Sequence, residues 1–82
     1  MSKRKVKIVS TEDTVSGSPR VEGTRVRVSD VVESYQELGW SLEKIADQYS
    51  LDIEEVLEAL RYYYQNPKEI REDIRSSRKA KA

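Results

Sequence analysis

Polar and apolar residues alternate from Lys5 to Val9, the period-two pattern of a strand with one face buried. Ser10 to Ser18 is polar and turn-like. Beyond it, Val21 to Val28 predicts a tight turn at Glu22 and Gly23 followed by a second strand. Gly23 accepts the positive φ that such a turn requires. In the second strand Thr24, Val26 and Val28 share one face, and Arg25 and Arg27 share the other.

From Ser29 the period changes to that of helices. Ser29 is placed to cap a first helix, with Asp30 in its first turn and an apolar stripe of Val31, Val32, Tyr35 and Leu38 ending at Gly39. Ser41 caps a short second helix whose stripe is Leu42, Ile45, Ala46 and Tyr49. Trp40, just before that cap, is positioned to staple onto Ile45 and to pack on the third helix. Asp52 and Glu55 form a capping box for the third helix, with Leu51 and Val56 as its staple. Ile53, Val56, Leu57, Leu60 and Tyr64 then fall on one stripe at about 100° per residue. Asn66-Pro67 breaks the helix and opens a weaker fourth one through Ile70 and Ile74.

The fold class that follows is α+β, mainly α: short N-terminal strands or a hairpin, a three-helix, helix-turn-helix-like core, and a weaker C-terminal helix. The organisation is a basic arm over residues 1–5, one domain over 6–74 and a basic flexible tail over 75–82. So short a chain buries only about 60–65% of the surface its unfolded form exposes. With few strands and open sheet edges besides, a homodimer is expected.

Composition narrows the chemistry. There is no cysteine and no histidine, which removes thiolate sites, the commonest metal ligand and the default general base. The serines have no base beside them, and the three glycines form no phosphate loop. Asp52, Glu54, Glu55 and Glu58 sit in the first turns of a helix, where capping and the helix dipole account for them better than Mg²⁺ does. No enzyme, cofactor or metal is expected. No apolar run reaches the roughly 20 residues that span a bilayer, so the expectation is a cytoplasmic protein without membrane or small-molecule partners.

A net charge of zero hides a polarity. Residues 1–28 hold seven basic and three acidic side chains, residues 29–67 two and nine, and residues 68–82 six and three. The segments therefore carry +4, −7 and +3, a distribution suited to charge-steered association and equally to a well-solvated surface. A short helix, a turn and a longer helix make a helix-turn-helix pattern, which commonly reads DNA. Here the reading helix would bring Asp52, Glu54, Glu55 and Glu58 toward a polyanion, which argues against base readout.

Gly17-Ser18-Pro19 followed by Val21-Glu22-Gly23-Thr24-Arg25-Val26-Arg27-Val28 resembles the G-x-P-x-x-x-G-T-R-x-x-V signature of the domain-of-unknown-function family numbered four-three-three. Leu38 to Ile45 and Val56 to Tyr64 are similar to that family's helical half, so the resemblance runs roughly from Ile8 to Ile74. Members are described as predicted antitoxins, partners of PIN-like ribonuclease toxins. The resemblance implies a helix-turn-helix-like fold without catalytic residues, a PIN-like ribonuclease as partner, and operator DNA as a further one. The alternative is a stand-alone helix-turn-helix regulator of transcription.

Candidate binding residues follow from placement. Helical spacing puts Tyr62 opposite the core stripe beside Glu55 and Glu58, an aromatic anchor in an acidic setting for a protein partner, or else a lone surface ring. Arg71, Arg75 and Arg78 form a basic tail that could enter the carboxylate cluster of a PIN-like nuclease or simply keep the chain soluble. Lys3, Arg4, Lys5, Lys7, Arg25 and Arg27 make a basic β surface that could meet DNA phosphates or discourage edge pairing.

Overall fold

The computed structural model describes residues 6–10 and 18–81, with side chains described up to residue 76. Two strands, β1 (Ile8–Val9) and β2 (Arg20–Val21), are followed by four helices: α1 (Val28–Gln36), α2 (Leu42–Tyr49), α3 (Ile53–Gln65) and α4 (Pro67–Lys81). This is the mainly helical α+β fold that the pattern predicts. The expected arm at 1–5 and most of the turn-like stretch before Ser18 lie outside the described residues.

β1 and β2 pair antiparallel, with Ile8 opposite Val21 and Val9 opposite Arg20. After β2 the chain turns at Glu22 and Gly23, and Gly23 takes φ +83°. The predicted second strand, however, shrinks to one bridge between Arg20 and Arg27. The Thr24 hydroxyl explains why. It donates to the Val21 carbonyl at 2.9 Å and accepts from the Val26 amide at 3.0 Å, so the loop satisfies itself and no ladder is needed. The Val28 amide then bonds the Pro19 carbonyl at 2.9 Å, and Val28 already belongs to α1.

The first helix therefore starts earlier than Ser29 suggests. Arg27 is the N-cap residue, the place expected of Ser29, and Asp30 at the third helical position accepts the Arg27 amide at 3.1 Å. Ser29 lies inside the first turn, buried, and its Oγ has no hydrogen-bond partner among the described residues. The other end is also shorter than expected. α1 stops at Gln36, the chain reverses through Gly39 at φ +71°, and Leu38 lies beyond the helix in solvent. Of the predicted stripe, Val31 and Val32 are buried and Tyr35 is exposed.

The caps of α2 and α3 are as predicted. The Lys44 amide donates to Ser41 Oγ at 3.1 Å, and the Asp52 amide donates to Glu55 Oε1 at 2.8 Å. Leu51 and Val56 are both buried, as a staple requires. Between the two helices, Ser50 adopts a left-handed φ of 56°, a conformation usually left to glycine. Trp40 is half-buried; its ring lies 6.4 Å from that of Tyr49, with Lys44 Nζ 4.9 Å from its centre.

Helix α3 is the hub of the core. It packs against α1, α2, α4 and both strands, and most extensively against α1. Its buried residues are Glu55, Val56, Ala59, Leu60 and Tyr63. The core stripe is thus rotated from the predicted one: Tyr63 is buried, whereas Ile53, Leu57 and Tyr64 are exposed. Hydropathy alone cannot find this rotation, because it depends on which side α4 and the strands cover. The Asn66 side chain donates to the Tyr62 carbonyl at 3.1 Å as the chain turns into α4. Ile70 of α4 is completely buried, and Asp73 Oδ1 accepts from Ser18 Oγ at 2.8 Å, fastening α4 to the segment before β2. The backbone stays helical to Lys81, so the segment from residue 75, expected as a flexible tail, continues α4. Apart from Ser76 and Ser77, its residues propagate a helix well.

Two buried serines in α1 now make opposite predictions. Ser34 Oγ bonds the Asp30 carbonyl and the Tyr49 hydroxyl, each at 2.9 Å, tying α2 to α1. Ser34→Ala should cost about 1 kcal/mol in urea denaturation by stranding the tyrosine, while Ser29→Ala should raise stability by about as much by deleting an unsatisfied hydroxyl. Equal effects at the two positions would contradict this account.

Candidate partner-binding surfaces

Because α4 is helical, positions 71, 75 and 78 fall in one row at spacings of four and three residues. Arg71 and Arg75 are exposed on that row; the Arg78 side chain lies outside the described part. Arg71 Nε also approaches the Tyr63 hydroxyl at 3.4 Å, so its stem is steered by α3. The hydrogen bond from Arg71 holds the Tyr63 phenol below its ordinary pKa against the opposing effect of burial. The basic residues expected as a loose tail are therefore presented by a helix, with the first of them oriented.

The acidic setting predicted around Tyr62 is not assembled. Glu55 is 5% exposed, drawn under the helix start by its bond to the Asp52 amide, so it offers nothing outward to a partner. Tyr62 is half-buried and faces α4, where its hydroxyl donates to Glu69 Oε1 at 2.8 Å. Glu58 is partly exposed and stands 3.7 Å from Arg61, a surface pair of small energetic consequence. Tyr62 is therefore a brace between α3 and α4 rather than the solvent-facing anchor that spacing alone suggests.

The basic β surface divides in the same way. Lys7 and Arg25 are exposed, and Lys3, Arg4 and Lys5 lie outside the described residues. Arg27 is engaged: its Nη2 and Nε reach the two Asp30 oxygens at 3.1 and 3.3 Å. That hydrogen bond is the main cause of its raised pKa; burial opposes it, and the charges of Asp30, Asp73 and Glu33 add to it. Arg27 thus builds the start of α1, and of the predicted pair only Arg25 stands clear on the surface.

Two features were not predicted. The first is a row of exposed apolar residues on α3, Ile53, Leu57 and Tyr64, at 39%, 47% and 64% exposure. Its signal was in the sequence: α3 carries more apolar residues than one core-facing stripe accommodates, Tyr62, Tyr63 and Tyr64 among them. The second is an open cleft of 270 Å³ lined by Asp30, Glu33, Ser34, Glu37, Leu38 and Tyr49, acidic along one side of α1. Among the described residues no group of His, Cys, Asp or Glu is placed to hold a metal ion. Nor is any described helix long and apolar enough to cross a membrane.

The described residues thus form a hairpin-led, four-helix domain that exposes an arginine row on α4 and an apolar row on α3. The family model described as "Protein of unknown function (DUF433)" matches residues 8–63, and the chain belongs to that family. No curated protein and no solved structure matches the chain. The matched span ends in the last turns of α3, so α4 and its arginine row lie beyond it.

The brace at Tyr62 has a pH signature. Burial, then the bond to Glu69, pushes its phenol from 10.0 up to about 12. A raised tyrosine pKa means that the fold favours the neutral phenol. Its contribution is complete below the unfolded value near 10 and is lost as pH rises toward about 12. Wild-type stability should therefore fall more steeply between those two pH values than that of Tyr62→Phe, measured by denaturant unfolding. Parallel curves would show that Tyr62 is no brace.

Proposed function

We propose that this chain is an antitoxin-type binding protein that neutralises a PIN-like ribonuclease by direct contact. The observation that carries the reading is the arginine row of α4: guanidinium groups at positions 71 and 75, with position 78 next in register, on a pre-formed helix. PIN-like nucleases gather carboxylates around a metal, and arginine is the side chain best suited to pair with such a cluster. Presenting the row on a helix lowers the ordering entropy that a disordered tail would lose on binding. The family resemblance supports the class of partner. Contact through α4 leaves Glu58 and the apolar row of α3 outside the nuclease site.

The α2-turn-α3 layout favours a second reading, a DNA-binding regulator, with Lys7 and Arg25 touching phosphate. The reading helix weighs against it. Its first two turns present Ile53, Glu54, Leu57 and Glu58 outward, none a donor to a base edge, and the exposed donors Arg61 and Gln65 come only in its second half.

Titration of a purified PIN-like ribonuclease, read by RNA cleavage, tests the first proposal. Arg75→Glu with Arg78→Glu should raise the concentration needed for half-inhibition at least about tenfold, because each change replaces an attraction with a repulsion. Helix content and melting temperature should stay the same. Unchanged inhibition would remove α4 from the interface. If DNA is bound instead, affinity should fall steeply with salt, and Arg25→Ala should flatten the slope.

A further inference from the structure

The exposed residues of α3 fall on a pattern with its own meaning. Ile53, Leu57, Leu60 and Tyr64 follow one another at spacings of four, three and four, the alternation that forms the apolar seam of a two-stranded coiled coil. Leu60 is nearly buried and forms the floor of the row, while the other three stand out from the body at 39%, 47% and 64% exposure. Together they leave a contiguous apolar row in water, roughly the few hundred square ångströms of a small monomer's largest patch, which is often functional.

Charge identifies what covers it. One residue past each seam position Ile53 and Leu60 stand Glu54 and Arg61, the places where coiled coils put the charges that select a partner. A second α3 laid antiparallel about a two-fold axis sets Ile53 against the partner's Tyr64 and Leu57 against the partner's Leu60. The same register brings Glu54 beside the partner's Arg61 and, by symmetry, Arg61 beside the partner's Glu54. A parallel arrangement would set Arg61 beside the partner's Val56, which is apolar, and give neither Glu54 nor Arg61 an opposite charge. Arg61 has only a loose contact to Glu58, at 3.7 Å with 67% of its side chain exposed, so it can turn to a new carboxylate at little cost.

We propose that α3 is the dimerisation helix of this protein, pairing with α3 of a second copy in an antiparallel seam closed by two Glu54–Arg61 contacts. The interface differs from the strand-edge pairing that the short hairpin suggests. It also occupies the helix that would enter a DNA groove, so the dimer and base readout by α3 exclude each other. The inference is independent of the nuclease reading, because it concerns the isolated chain.

Sedimentation equilibrium on the full chain, without any nuclease, tests it. The seam is short, so the wild type should dimerise with a Kd on the order of 10 µM, in the range of small interfaces. Leu57→Asp should weaken association at least about a hundredfold; because Leu57 is exposed, the helical spectrum should not change. Glu54→Arg alone and Arg61→Glu alone should each weaken it about tenfold by setting like charges together twice, and the double variant should recover most of the loss. A wild type that stays monomeric at several hundred micromolar would overturn the proposal. So would a dimer indifferent to Leu57→Asp, or charge variants that fail to rescue each other. Monomeric chain whose nuclease binding is lost with Leu57→Asp would assign the row to the nuclease and overturn the dimer as well.

Discussion

Everything in this small domain leans on one helix. α3 has α1, α2, α4 and both strands against it, and its start is fixed by the reciprocal bond between Asp52 and Glu55. The consequence is an apolar surface wider than a single stripe. Val56, Ala59, Leu60 and Tyr63 close the core, and Ile53, Leu57 and Tyr64 remain outside it. A chain of this length cannot surround a central helix completely, since five short elements cover only part of the circumference. The uncovered side carries the exposed apolar row.

The remaining contacts hold those elements in place around the hub. Tyr49 ties α2 to α1 through Ser34, Asp73 ties α4 to Ser18 ahead of β2, and Tyr62 ties α3 to α4 through Glu69. Each is a polar bond at the margin of an apolar contact, where it sets an angle without the full penalty of burial. Arg27 and Asp30 do the same at the entry to α1. This arrangement accounts for the uneven fate of the charged residues: several that look available along the chain are needed to position helices.

Features governed by neighbouring residues were legible in the sequence. The Ser41 cap, the Asp52–Glu55 box, the Leu51–Val56 staple and the turn at Gly23 all depend on groups within five residues of one another, and all are present. Features set by distant packing were not. Ser29 is a plausible cap, but the helix starts two residues earlier because Arg27 pairs with Asp30 and Val28 bonds Pro19. The capping role of Glu55 was readable, but not that the same bond would bury it and remove it from the binding surface. The rotation of the α3 stripe was hidden for the same reason, and the apolar row with it. The arginine row needed only the knowledge that α4 runs on to Lys81.

On the proposals made above, the cationic row on α4 meets a carboxylate-rich partner and the apolar row on α3 meets another helix. On the same proposals, the helix in the reading position of a helix-turn-helix layout is committed to protein contact and not to DNA. Amide chemical shifts measure this most directly, on one labelled sample followed first as a function of protein concentration and then with added duplex DNA. The account predicts that the amides of Ile53, Leu57, Arg61 and Tyr64 move together with concentration and stay where they are when DNA is added. Amides of α3 that ignore concentration and shift on DNA would contradict it.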